Sequence, residues 1–208
     1  VPAYAMIPPK FEDLNGPALK SYQSYNPSRA KELIKEAGYP WGRGFPGQEL
    51  WLRAPTPTIK RVSEAIMAML KDNLGIDITI RAADRTMYMN NMYNWRMNLG
   101  LIVFYADYLD PRNMLDMIWH SQPRGFGRSD WLNTKFDRLV ENAAAELDVD
   151  KRRALYFEAE EVMVSDYAGG FLFHPVNLEL RKRWVKGIPK NPDGTVGAMD
   201  YTRAYIAK

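Results

Sequence analysis

The chain has 208 residues, 46% hydrophobic and 25% charged, an ordinary globular composition that excludes disorder as the main state and allows one large domain or two small ones. Its net charge of +3 is too small to mark a nucleic-acid footprint. It has no Cys, which excludes Cys-ligated zinc, thiol catalysis and disulfides, and apolar runs such as residues 99–105 are too short to span a bilayer.

Val1-Pro2-Ala3-Tyr4 has neither Met nor the charged start and apolar core of a signal peptide, so a start cut from something longer is expected. Residues 1–25, rich in Pro, Tyr and Gly, show no sustained period and read as an irregular surface stretch. Asn26-Pro27 offers an N-cap and a Pro in the first turn of a helix that carries Ala30, Leu33, Ile34 and Ala37 and stops at Gly38. Residues 39–47 are a Gly/Pro loop and 49–54 a short strand. Residues 58–74 predict an amphipathic helix with Val62, Ala65, Ile66, Met69, Leu70 and Asn73 on one face. Alternation over 76–81 predicts a half-buried strand. Asp84 caps a helix to about Trp95, and 97–104 reads as a buried strand feeding a functional loop.

Residues 111–119 predict a helix with Pro in its first turn. Residues 133–146 predict another, with Phe136, Leu139, Val140 and Ala143 inward. Asp148 opens a third, to about Asp166, with Ala154, Leu155, Phe157, Ala159, Val162 and Met163 as its apolar set. Gly169-Gly170 ends that pattern. Residues 171–173, 178–180 and 201–206 read as short strands, with a turn region over 186–197. Alternating helices and strands give an α/β layer structure.

His120 and His174 are the only histidines. Neither has an acidic residue or a second His at ligand spacing, so no metal site is expected and each reads as structural or superficial. No Gly-x-Ser-x-Gly or Walker loop occurs, and Gly125-Phe126-Gly127 lacks the third Gly and preceding strand of a dinucleotide loop. No cofactor is expected. The abundant Met, including Met87, Met89, Met92 and Met97, reads as adaptable core or cleft filling. Arg181-Lys182-Arg183, extended by Lys186 and Lys190, reads as a solvated strand and turn or as an anion-facing patch. Asp107, Asp110 and Asp116 cluster beyond a predicted strand end, where α/β sheets hold ligands. Phe104, Tyr105 and Tyr108 stand ready to wall a pocket, and a carboxylate can hold a cation. Equally, Asp107 and Asp110 are suitable caps for the turn and helix that follow.

Several stretches together resemble the bacterial extracellular solute-binding proteins of family 5, the dipeptide, oligopeptide and nickel receptors of ABC importers. Pro2-Ala3-Tyr4 with Ile7-Pro8-Pro9, then Tyr25-Asn26-Pro27 through Glu36-Ala37-Gly38-Tyr39, and Leu70 through Asn73-Leu74-Gly75-Ile76 are similar to family segments. So are Ala106-Asp107-Tyr108-Leu109-Asp110-Pro111, Phe136-Asp137-Arg138-Leu139, Asp150 through Leu155-Tyr156 to Ala159-Glu160, and Tyr201-Thr202-Arg203. The order and spacing extend over almost the whole chain.

The resemblance implies a type II periplasmic-binding-protein-like fold, with a mixed sheet flanked by helices. It makes residues 1–200 the C-terminal lobe of a two-lobed receptor and 201–208 a final strand returning towards an N-terminal lobe that has no counterpart in this chain. It implies a solute-capture component, not an enzyme, for peptides or similar small solutes. Its partners are an importer permease and the N-terminal lobe, with no nucleic acid, and with the membrane reached only through a lipid anchor. Its location is periplasmic or extracellular. It implies Asp107 as the anchor of a ligand ammonium, with Phe104, Tyr105, Tyr108 and His174 towards the ligand. Phe104 stands where the family usually has Trp and Val103 where it usually has Gly, while Met92 falls near a position where an oligopeptide receptor has Arg. A hydrolase using Asp107 and Asp110 as paired carboxylates is the alternative from another class, although nothing in the sequence supplies its base or oxyanion hole.

Overall fold

A computed structural model describes residues 1–8, 16–121, 130–176, 178, 180–188 and 202–207. Two compact units emerge. One is Ser24–Tyr105; the other joins Val1–Gln23 to most of the chain after Ala106.

The Ser24–Tyr105 unit is a three-layer α/β structure. Helix α1 (Pro27–Glu36) starts as expected, with the Asn26 side chain accepting from the Arg29 N–H. Strand β1 (Gln48–Arg53), helix α2 (Pro57–Leu74), strand β2 (Ile78–Ala83), helix α3 (Arg85–Tyr93) and strand β3 (Leu99–Leu101) follow. Thr56 caps α2 and Asp84 caps α3. The strands lie in the order β2-β1-β3, all parallel, with Leu50 opposite both Ile80 and Leu99. The chain therefore crosses from the centre to one edge through α2 and back to the other edge through α3.

As the central strand, β1 is buried on both faces, and its period of two divides its side chains between two cores. Leu50 and Leu52 pack with Ile76 and Ile78 against Ile59, Ile66 and Leu70 of α2, and Trp51 packs with Tyr88 and Met92 of α3.

Two sequence expectations shift here. The inward face of α2 carries Ile59, Ser63, Ile66, Met67, Leu70 and Leu74, whereas Ala65 and Met69 face outward. The run over 97–104 is not a buried strand. Only Leu99–Leu101 pairs, on a sheet edge, with Leu99 exposed. An apolar run matches a central and an edge strand equally well; the number of paired neighbours separates them.

The other unit is mainly helical: α4 (Pro111–Met114), α5 (Asp116–Trp119), α6 (Thr134–Ala145) and α7 (Val149–Ser165). Asn133 and Asp148 cap α6 and α7 through their side chains. Phe136, Leu139, Val140 and Ala143 of α6 are buried as expected, and α6 packs along α7. The buried stripe of α7 is Tyr156, Ala159, Glu160, Met163 and Val164; Ala159 and Met163 are as expected, whereas Tyr156, Glu160 and Val164 take the place of Ala154, Leu155, Phe157 and Val162.

Residues 1–25 are not a surface stretch throughout. Ala3, Ala5, Ile7 and Leu19 are buried, the last in a 3-10 turn over Gly16–Gln23. Pro2 bridges to Phe173, and the Ile7 N–H donates to the Glu160 carboxylate. This order comes from partners more than 150 residues away in sequence, which local periodicity does not report. A two-stranded antiparallel ribbon, β4 (Val185–Lys186) with β5 (Tyr205–Ile206), completes the unit. The expected α/β architecture holds, although the antiparallel pairing lies in this ribbon and in the Pro2–Phe173 bridge, and the main sheet is parallel rather than mixed among the described residues. The Gly125-Phe126-Gly127 motif, Lys190, Tyr201 and most of the 186–197 turn lie outside the described residues.

Candidate functional site

Phe104 and Tyr105 follow β3 in the Ser24–Tyr105 unit, past the C-terminal end of the sheet. The Arg53 guanidinium, at the same end of β1, donates to the Val103 carbonyl at 3.3 Å and ties the outgoing chain to the strand beside it. Phe104 is half-buried and Tyr105 exposed.

The rest of the expected site belongs to the helical unit. Its frame is the Asp110-Pro111 start of α4. The Asp110 carboxylate accepts from the Arg112 N–H at 2.8 Å, capping the short helix. Both Asp110 oxygens also accept from the Arg152 guanidinium of α7, at 2.7 Å each. Arg152 lies over the Tyr156 ring, 5.0 Å from its centroid, and donates to the Tyr156 hydroxyl at 3.3 Å. This half-buried, charge-assisted cluster fixes the turn to a core helix.

The Asp107 carboxylate behaves differently. It accepts from no backbone N–H among the described residues and faces solvent. Its backbone N–H donates to Asn113 Oδ1 at 2.8 Å, and its Oδ2 accepts from Asn113 Nδ2 at 3.3 Å. Tyr108, also exposed, donates its hydroxyl to Met117 Sδ at 3.2 Å. Of the two suitable caps, then, Asp110 does the capping and Asp107 does not. Asp116 is buried and accepts from Arg112 Nε at 3.2 Å.

His174 is half-buried, and its backbone is held by the first residue: its N–H donates to the Val1 carbonyl at 2.8 Å. Burial lowers its imidazole pKa and favours the neutral ring. His120 is buried, with Nε2 3.1 Å from the α6 carboxylate Glu141 and Nδ1 3.0 Å from the Ser121 carbonyl. No group of three His, Cys, Asp or Glu among the described residues is arranged to hold a metal ion. Leu178 and Leu180 are exposed and form no strand.

The hydrolase alternative fails at Asp110. A carboxylate held by both oxygens to a guanidinium and spent on a helix cap is not available as one of a pair that shares a proton.

Sequence reasoning missed three residues. Asn113 stands three places after Asp110, where one turn of helix brings a side chain back over the preceding loop, so its position was readable. Arg152 is 42 residues from Asp110, and no spacing rule links them. Glu160 lies on the buried stripe of α7, and the charge would have stood out had that stripe been read in full.

The model of the family described as "Bacterial extracellular solute-binding proteins, family 5 Middle" matches residues 1–126 of the 208. The chain belongs to this family. Family 5 proteins are binding proteins by description. A dipeptide-binding protein of Bacillus subtilis, DppE, is 26% identical over 203 residues, covering 94% of this chain and 36% of the relative. A heme-binding protein A of Haemophilus influenzae is 29% identical, covering 82% of this chain and 31% of the relative. The chain thus spans about a third of the length of the curated relatives it matches. Among solved structures, Haemophilus influenzae OppA in complex with the peptide RPPGFSPFR superposes with a TM-score of 0.80 at 22% identity, covering all of this chain and 40% of that one. An unliganded, open murein tripeptide binding protein, MppA, superposes with a TM-score of 0.72 at 23% identity, covering 100% of this chain and 40% of that one. These likenesses establish the type II periplasmic-binding-protein-like fold.

Proposed function

We propose that this chain is part of the solute-capture component of an ABC importer and that it takes peptides or similar small solutes carrying a primary ammonium. The reading rests on one observation above all. In a turn whose capping is done by Asp110, the neighbouring Asp107 carboxylate is left facing solvent on a fixed frame, within the Ala-Asp-Tyr segment of a solute-binding family. A carboxylate held this way gives an ammonium a charge-assisted hydrogen bond. Tyr108 and His174, in the same unit as Asp107, are the aromatic and neutral residues that this reading assigns to ligand contact. Residues 1–200 form the C-terminal lobe of a receptor with a second, N-terminal lobe, and 201–208 return towards that lobe. The protein catalyses nothing, hands its solute to a membrane permease, and works in the periplasm or outside the cell, held to the membrane by a lipid anchor.

Calorimetric titration of the full-length receptor with tetra-alanine tests the reading. Asp107→Asn is expected to weaken binding by roughly 2–5 kcal/mol, the cost of breaking a desolvated charge pair. Unchanged affinity would remove Asp107 from the site.

A further inference from the structure

Asp107 is exposed, and an exposed aspartate is free to rotate about two side-chain bonds. Asn113 is 1% exposed and spends its amide on that aspartate: Oδ1 accepts from the Asp107 N–H at 2.8 Å and Nδ2 donates to Asp107 Oδ2 at 3.3 Å. The orientation of the amide is fixed by chemistry, because a backbone N–H only donates and must face the oxygen. Nδ2 also lies 3.5 Å from Met117 Sδ. Asp107 Oδ1 has no such partner among the described residues. The bracket is mounted firmly, since Asn113 belongs to α4, whose first turn Asp110 and Arg152 tie to α7.

We propose that Asn113 is a positioning residue for solute capture, holding the Asp107 main chain and Oδ2 so that Oδ1 remains as the acceptor for a ligand's primary ammonium. The inference rests on the reading of Asp107 as the ammonium anchor. Its physical content is entropic: the bracket orders the carboxylate before the ligand arrives, so that binding does not bear the cost of immobilising it. Asn113 touches no ligand. It acts only through Asp107, and its effect is confined to ligands that carry the ammonium.

The test measures tetra-alanine and N-acetyl-tetra-alanine binding to the full-length receptor and to Asp107→Asn, Asn113→Leu and the double variant; leucine keeps the branching of asparagine at Cγ, is somewhat larger, and deletes both bonds. The wild type is expected to prefer the free amine by at least about thirtyfold. Asn113→Leu is expected to lose about tenfold for the free amine, to bind the acetylated peptide unchanged, and to add nothing to Asp107→Asn. Equal losses for both peptides, or a loss that persists in the Asp107→Asn background, would mean a merely structural role and overturn the proposal.

Hydrogen exchange at the Asp107 amide reads the bracket without any ligand. It is expected to quicken in Asn113→Leu while the Phe136 amide in α6 keeps its protection; an unchanged Asp107 rate overturns the bracket. A wild type that binds neither peptide, or both equally, overturns the anchor reading of Asp107 and with it the ligand half of the inference, whatever the exchange shows.

Discussion

At the level of single residues, carboxylates of one unit meet different fates. Asp110 is consumed by an N-cap and a guanidinium, Asp107 is left to solvent, and Glu160 is buried completely, at 0% exposure. Glu160 Oε1 accepts from the Ile7 N–H at 2.7 Å, while Oε2 has no hydrogen-bond partner among the described residues. Burial raises its pKa to about 7, against a smaller downward pull from the Ile7 and Met6 N–H groups. The folded carboxyl therefore keeps its proton where the unfolded one, at the ordinary 4.5, has lost it. The resulting stability is complete below the unfolded value and is lost as pH rises through the folded one, by roughly 3 kcal/mol in all. Glu160→Gln, which mimics the protonated form, is expected to match the wild type near pH 5 and to exceed its stability by about 1–3 kcal/mol at pH 8. Urea melts across that range check this. Parallel curves for the two proteins would show that the burial of Glu160 is not what sets the slope.

At the level of elements, the caps were legible and the faces less so. Asn26, Asp84 and Asp148 all cap the helices expected of them, because a cap is a contact between neighbours in sequence. The inward faces of α2 and α7 were each read only in part: Ile66 and Leu70, and Ala159 and Met163, lie inward as expected, and the rest of each face differs. Ser63 and Glu160 are buried polar residues on those faces, and a count of apolar residues passes over them.

The C-terminus of α2 illustrates what local signals do and do not contain. Gly75 ends the helix at φ 69°, and a β-carbon there would meet the Trp41 carbonyl oxygen. Gly38 ends α1 at φ 91° in open space. Both substitutions to Ala place a side chain at positive φ, which costs roughly 1–2 kcal/mol. Gly75→Ala alone adds a collision with the backbone of another loop. It is expected to cost about 1–3 kcal/mol more than Gly38→Ala, measured as the shift in urea midpoint at constant slope. Equal costs would mean that the loop moves aside freely.

At the level of the molecule, the family match carries a consequence for binding. The chain spans about a third of its relatives; on the proposed reading of it as one lobe of a two-lobed receptor, it leaves one side of its ligand in water, whereas pocket sites gain affinity by burying most of the ligand. Each unit nevertheless has its own buried side chains, Leu50, Leu52 and Trp51 in one, and Phe136, Tyr156 and Met163 in the other. The 208-residue chain alone is expected to melt cooperatively by circular dichroism and to show no tight binding of di- to pentapeptides by calorimetry. Submicromolar affinity would point to a complete, self-contained site and count against the lobe reading.

What the sequence determined by itself is what depends on near neighbours and on pattern: the α/β alternation, the helix caps, the inward face of α6, and the ordered segments by which the family was recognised. What only the tertiary structure decided depends on contacts across long separations. The ordering of residues 1–7 against α7, the edge position of β3, and the division of labour between Asp107 and Asp110 are of this kind. Asp110 is taken by Arg152, 42 residues further on, whereas Ile7 finds Glu160 across 153. Those partners are brought together by packing of the whole unit, whose free energy is the sum of many small terms, and no local window of the chain contains that sum.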